Sequence, residues 1–499
     1  MIFTHVFRLT MLTVLTVAGS CGNLDKSPEA LARRHCSTCH AFPEPSLLTK
    51  KSWESGVFPE MAYRMGLDVS RLPMTTPLEL KVILNAIPAK PMVTVEEWEK
   101  IKAYYVQRAP DTLPSSAPKT FFPLDQFDPS ILRLPVTNNT ALTMVQFDQA
   151  SKTFFVGTRK GKLFRLSASL QVQDSIQLES PPSRIAFEST GDHKVALMGI
   201  MDPNDRPAGA IVQLTWKGNE PLLIDSLKRP VYVEQADLNN DDQKDLVVSA
   251  FGNLTGALLA YEKTRDNNYK AHLVHSFPGT RKTVIRDFNG DGLADILALI
   301  TQGDEHIALF TNRGDFRFSY QVLLKFPPVY GCSYFELCDF NKDGSPDILL
   351  TNGDNADYST ILKPYHGIRI FLNDGKNEFT EALFYPMHGA SMAHARDFDE
   401  DGDADIAAIS FFPDFRKHPE QSFIYLENAA GELIAHGTPL AASSRWITME
   451  SADIDNDDDL DVLLAALTFP NGVPDSIYQD WGKKKASLLV LRNKLRRER

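Results

Sequence analysis

A nine-residue ladder of side-chain oxygens, D-x-[DN]-x-D-x-x-x-D, occurs five times in this 499-residue chain, and each copy runs straight into an apolar strand. The copies are Asp237, Asn239, Asp241 and Asp245; Asp287, Asn289, Asp291 and Asp295; Asp339, Asn341, Asp343 and Asp347; Asp397, Asp399, Asp401 and Asp405; and Asp453, Asp455, Asp457 and Asp461. A loop that returns about every fifty to sixty residues predicts a repeat architecture. Hard oxygen ligands at positions 1, 3, 5 and 9 converge when the loop turns tightly at position 6, and Ca²⁺ prefers such a flexible oxygen cage. Gly292, Gly344 and Gly402 hold the turning position. Asp242 and Asp458 stand there in the first and last loops, where a left-handed backbone costs more than for glycine, so these two sites are expected to bind more weakly.

An EF-hand closes with a bidentate Glu at position 12. Here that position holds Val248, Ala298, Leu350, Ala408 or Leu464, which excludes it. Polar turns shaped by Asp and Asn alone would explain one such loop, but not five in register. Apolar runs follow each loop (246–250, 296–300, 348–351, 406–410 and 462–467), as expected of buried strands. Third strands then end in Asn312, Asn373, Asn428 and Asn493, and the first three lead into a Gly turn and a further strand. Four strands per unit predict a propeller blade. Two units without the ladder, 142–166 and 184–200, precede the five and bring the count to seven. The last unit stops just after Asn493, while 126–134 reads as a fourth strand; it is expected to pair with the last blade and close the ring.

The first 120 residues are of another kind. Residues 1–20 carry Arg8, an apolar stretch from Leu9 to Ala18 and small residues before Cys21, as in a signal peptide. The stretch is shorter than the ~20 residues that span a bilayer. Ala18-Gly19-Ser20-Cys21 resembles a bacterial lipobox, which makes Cys21 the expected lipidated residue. Cys36-Ser37-Thr38-Cys39-His40 is the C-x-x-C-H pattern of c-type haem attachment, two thiols for the vinyl groups and a His for the iron. A thioredoxin-like pair would need a βαβ surround, whereas this neighbourhood is helical and Pro-rich. Ser27-Pro28 starts a helix, and Thr94 with Glu97 forms a capping box for a last one whose Val95, Trp98, Ile101 and Tyr105 share a face. Residues 109–120 read as a Pro and Ser linker. Methionines 61, 65, 74 and 92 follow the haem motif, and spacing favours Met92, just before the last helix, as the sixth iron ligand.

The chain resembles a bacterial family in which a cytochrome c domain precedes FG-GAP or VCBS-type repeats. The likeness is carried by 36–40, 43–48, the W-x-x-x-V-x-P-x-M run from Trp53 to Met61, 352–358, 363–367 and 409–413. It implies Met61 rather than Met92 as the axial ligand, and it implies no substrate. The expected fold is therefore multi-domain: signal peptide 1–20, a small all-α cytochrome c domain at 21–108, the linker, and an all-β seven-bladed propeller with calcium-binding loops at 121–499. One covalent haem c and up to five Ca²⁺ ions are the expected cofactors.

A formal charge of −12 fits these loops, which hold more carboxylates than that between them. Basic residues cluster only in the terminal tail from Arg492, so nucleic-acid binding is not expected. Cys332 and Cys338, about 20 Å apart along one strand, are too distant for a disulfide and read as buried thiols. No G-x-S-x-G, H-E-x-x-H or phosphate-cradling Gly loop occurs. Three residues before each ladder stand Glu234, Val284, Glu336, His394 and Glu450, joined by Lys282, Arg286 and Arg396. Facing an axial channel, they would form either salt bridges between blades or a polar ligand site. The leading expectation is an exported haem c electron-transfer protein, in the periplasm or at the outer membrane or cell surface. It would be held to membrane by a lipid anchor only, and its propeller would dock a cell-envelope redox partner or a glycan or protein ligand. The alternatives are a propeller oxidoreductase feeding its own haem and a non-enzymatic adhesion scaffold.

Overall fold

The computed structural model describes residues 25–68, 70, 72, 75–114, 121–136, 140–354 and 359–496. The signal peptide and Cys21, part of the linker, and Met74 lie outside them. Strand pairing gives seven sheets, each with a core of consecutive antiparallel strands in up-and-down order. The ladder-free blades 1 and 2 run through 142–177 and 182–227, and blades 3 to 6 begin at Pro230, Thr280, Cys332 and Ala390. The second strand of blades 3 to 7 is the apolar run after each ladder, and every residue in those runs is buried. Hydrophobic clusters sit between adjacent sheets, so each blade buries its faces against its neighbours.

Blade 7 supplies three strands, Trp446–Ala452, Asp461–Ala466 and Leu488–Asn493. Its fourth is Phe127–Leu132, antiparallel to the last and in register from Phe127 with Asn493 to Leu132 with Leu488. The ring closes as expected, a strand from the start of the propeller completing its last blade. Gln126 reinforces the seam, donating from Nε2 to Asn493 Oδ1 at 2.7 Å. Phe122–Pro123 adds a short parallel fifth strand to the outer edge of blade 6, which the sequence pattern does not announce.

The helical part comprises Pro28–Cys36, short turns through 45–57, Phe58–Arg64, Pro77–Ala86 and Val95–Arg108. Ser27 caps the first helix, and Thr94 and Glu97 form the expected reciprocal box on the last. Trp98, Ile101 and Tyr105 are buried, but Val95 is 68% exposed, because the first turn projects beyond the core. That core continues onto Val329, Tyr330 and Tyr365 of the propeller. Tyr365 donates its hydroxyl to the Leu47 carbonyl at 3.0 Å, and Asn253 Nδ2 reaches Glu79 Oε1 at 3.4 Å. The helical part is thus docked against the ring and not only tethered to it. In antiparallel blades the turns between first and second strands all lie on one face, and the connections between blades lie on the other. The helices contact 253, 329–330 and 365, which belong to the second face, opposite the acidic loops.

No helix among the described residues is long and apolar enough to cross a membrane.

Candidate functional site

Three constellations carry chemistry. In the acidic loops, position 6 is left-handed in all five copies: φ is 85° at Gly292, 86° at Gly344 and 94° at Gly402, and 66° and 71° at Asp242 and Asp458. Position 4 is left-handed too, at Asn240, Gly290, Lys342, Glu400 and Asn456. Lys342 and Glu400 carry no local signature of that conformation, and each accepts about 1–2 kcal/mol of backbone strain. The first Asp folds the loop by accepting backbone N–H groups. Asp287, for example, accepts from Asn289, Gly290 and Gly292 at 3.2, 2.7 and 2.8 Å.

The ninth-position Asp has a second duty. Asp245, Asp295, Asp347, Asp405 and Asp461 are all fully buried. In each, one oxygen accepts the N–H of the residue after the first Asp and the other accepts an N–H at the end of the third strand. For Asp295 these are Phe288 at 3.0 Å and Asn312 at 2.7 Å. The strand-ending Asn completes the joint. Asn312 Nδ2 donates to the Leu238 carbonyl of the preceding blade's loop at 2.8 Å and to Ala294 at 3.1 Å, while its Oδ1 accepts from Gly314. Carboxylate oxygens keep a free lone pair after one such bond, so this staple leaves room for a cation. Ligand atoms of Asp397, Asp399 and Asp401, and of Asp453, Asp455 and Asp461, lie within 4.8 Å of one another.

The second constellation lines the axis. Strand register places Gln146 of blade 1 and Arg184 of blade 2 at the position held by Glu234, Val284, Glu336, His394 and Glu450 in the others. Most of these side chains reach the next blade. Gln146 pairs with both the N–H and carbonyl of Ile185, at 2.7 and 3.1 Å. Glu234 accepts from Thr283 Oγ1 at 3.0 Å, Glu336 from the Ala395 N–H at 2.6 Å and from Arg396 at 2.9 Å, and His394 Nδ1 meets Ser451 Oγ at 2.9 Å. Lys282 lies 3.8 Å above the Tyr334 ring and Arg184 4.6 Å from that of Tyr232. Arg286, by contrast, is exposed.

Burial pushes Glu450 up to about 7 and raises Glu234, and it brings Lys282 down to about 8 and His394 down to about 3. Burial also works against Glu336, yet the positive groups around it, Arg396 and Lys282 among them, hold it below the usual carboxylate range. The ring is a set of inter-blade clamps with its charges largely matched. Next to it a cleft of 390 Å³ opens between blades 7 and 1, lined by Phe147, Lys152, Glu450, Asp453 and Asp459 among others.

The third is the C-x-x-C-H segment. Cys36 ends the first helix, partly buried against the core, and Cys39 is exposed. Burial pushes the Cys36 thiol up to about 11, tempered by a hydrogen bond with Tyr105. Tyr105 and Trp53 pin the following loop by donating to the Pro43 and Pro45 carbonyls, at 3.0 and 2.9 Å. His40 Nδ1 is engaged by the Ala41 carbonyl at 2.9 Å, which leaves Nε2 available to a metal in the manner of oriented metal-binding histidines. Met61 packs on the same core as Cys36, whereas Met92 is 36% exposed at the surface. Two thiols, an imidazole with a free Nε2 and a thioether on the same core are residue types that would hold a haem c.

The other two cysteines divide. Cys332 is buried, but Cys338 is only half-buried, because it ends its strand where the acidic loop begins.

A profile of the FG-GAP-like repeat family matches residues 287–350, from the fourth blade's acidic loop to the second strand of the fifth. No curated protein matches the chain. Among solved structures, the beta-propeller domain of Cps50 (Swd1) from Myceliophteria thermophila aligns at 12% identity over 73% of this chain and 99% of its own, with a TM-score of 0.43. The Pan2 WD40 domain of Neurospora crassa aligns at 11% over 74% and 96%, with a TM-score of 0.46. BBS1N, from its complex with ARL6DN, aligns at 10% over 74% and 97%, with a TM-score of 0.44. The chain contains an FG-GAP-like repeat and folds as a seven-bladed β-propeller, the blades being counted from its own strand pairing.

Proposed function

We propose that this protein is an exported electron carrier in which Cys36 and Cys39 would attach haem c and His40 and Met61 would ligate its iron, beside a propeller that docks the redox partner. The carrying observation is the His40 ring, whose Nδ1 is engaged by a backbone carbonyl next to two cysteines three residues apart in sequence. When bound, the haem supplies one-electron chemistry. Cys36, Cys39, His40 and Met61 would hold it beside the aromatic core of Trp53, Phe58 and Tyr105, which Tyr365 ties to the propeller. Ca²⁺ in the five acidic loops stiffens the opposite face, and the signal sequence with Cys21 takes the protein to the cell envelope.

The axial ring belongs to the scaffold in this reading. Glu234, Glu336 and His394 are engaged by neighbouring blades, and burial makes the neutral His394 ring a poor proton acceptor. The holoprotein should therefore show no dye-linked oxidation of a panel of sugars and polyols. Turnover that disappears in Glu336→Gln and His394→Gln, with the fold intact by circular dichroism, would instead make the propeller an oxidoreductase.

A further inference from the structure

Successive residues on the innermost strands point alternately into the blades and toward the axis. Val233, Phe335, Ala393 and Met449 are buried, whereas the residues just before them, Tyr232, Tyr334, Met392 and Thr448, keep accessible surface at the centre of the ring. The axis is therefore open along this layer, which lies two residues from the inter-blade clamps, toward the face that carries the helices. Two cations reach it. Arg184 of blade 2 stands 4.6 Å from the Tyr232 ring of blade 3, and Lys282 of blade 4 stands 3.8 Å from the Tyr334 ring of blade 5. Arg184 is partly exposed and Lys282 is 9% exposed. Among the described residues neither side chain has a hydrogen-bond or ion-pair partner. A tyrosine face attracts a cation but gives its N–H groups no acceptor of their own, so the donors of both remain unused. Burial lowers Lys282 to about 8; Glu336 opposes that fall and Arg184 adds to it, so the two cations act on one another. Arg396, the third cation near the axis, is matched by contrast, bonding Glu336 at 2.9 Å.

We infer that Arg184 and Lys282 form an anion site in the axial channel, and that its ligand is a small molecule bearing a carboxylate or phosphate group. The planar fork of arginine matches either oxyanion bidentately, and the lysine adds a point charge. Glu234, Glu336 and Glu450 follow toward the acidic loops, two residues further along their strands. They repel a second anionic group, so the ligand holds its charged end at the two cations and extends toward the helical face, and a polyanionic chain is excluded from passing through. The site uses neither the C-x-x-C-H segment nor the acidic loops, and it stands or falls independently of the electron-carrier reading.

Isothermal titration of the full chain with inorganic phosphate, citrate and galacturonate, and with galactose as the uncharged control, tests the site. At least one of the three anions is expected to bind, the tightest identifying the group recognised, while galactose gives no heat. Arg184→Met and Lys282→Met are each expected to weaken that binding by about tenfold or more, the worth of a charge-assisted hydrogen bond. Lys270→Met, which removes an exposed lysine on the outer strand of blade 3, is expected to leave it unchanged. Should circular dichroism show that a methionine variant does not fold, Arg184→Gln or Lys282→Gln, which keeps a polar end in the channel, replaces it with the same expectation. No heat from any of the three anions at millimolar concentration, or a Kd unchanged on removing either cation, would overturn the inference.

Discussion

Replacing Asp295 by alanine separates the two duties of the acidic ladder. Asp295 is fully buried and accepts the Phe288 and Asn312 N–H groups, so alanine leaves two buried donors unsatisfied. Each such loss costs about 1–3 kcal/mol. Burial raises the Asp295 pKa, a sign that its charge is itself held at some cost, which alanine relieves. The net loss is about 2–4 kcal/mol, a large part of a typical domain's 5–15 kcal/mol. Asp291 in the same loop is exposed and accepts only from Leu293 and Asn289. In chelator Asp291→Ala should therefore cost under about 1 kcal/mol. Urea unfolding of both variants in chelator should place Asp295→Ala about 1 M below wild type, for an m-value near 3 kcal/mol/M, and Asp291→Ala within a few tenths. An Asp295→Ala midpoint equal to that of Asp291→Ala would refute the staple.

With Ca²⁺ added, the order of effects should change. Wild type should gain Tm by mass action, and Asp291→Ala should lose most of the gain for its own loop; an identical Tm with and without Ca²⁺ would remove the metal from the account. Glu450 provides a pH test. Its folded pKa of about 7 lies above its unfolded value of about 4.3, so its contribution is fully present below the unfolded pKa and is lost as pH rises from about 4 to 7. Glu450→Gln should therefore gain stability relative to wild type across that window, measured as the Tm difference at each pH. A constant difference would show that Glu450 titrates normally.

Much of this was legible because the ladder is a covalent-spacing signal: oxygens two residues apart and a forced turn leave a mark that packing cannot erase. The left-handed sixth position follows from Gly292, Gly344 and Gly402, and Asp242 and Asp458 adopt it as expected. The left-handed fourth position was not legible, since Lys342 and Glu400 carry no preference for it and are held there by the rest of the loop. Ring closure by 126–134 was readable from a missing fourth strand. Gln146 and Arg184 escaped notice because blades 1 and 2 lack the ladder from which the axial position was counted; only strand register reveals them. Docking of the helices through Tyr365 and Asn253 joins residues more than 170 positions apart, and no local pattern encodes such a contact. The buried Arg445 was equally silent, because Phe411, Phe412, Phe415 and Phe469, whose rings surround it, are distant in sequence and only the fold brings them together.

The central claim is that the chain carries haem at Cys36 and Cys39. The most direct test is the intact mass, after acid-acetone extraction, of protein exported by a host with c-type cytochrome maturation. The account predicts a mass increased by one haem, lost in Cys36→Ala, Cys39→Ala protein. An exported protein of unmodified mass, whose two thiols react fully with an alkylating agent, would contradict it.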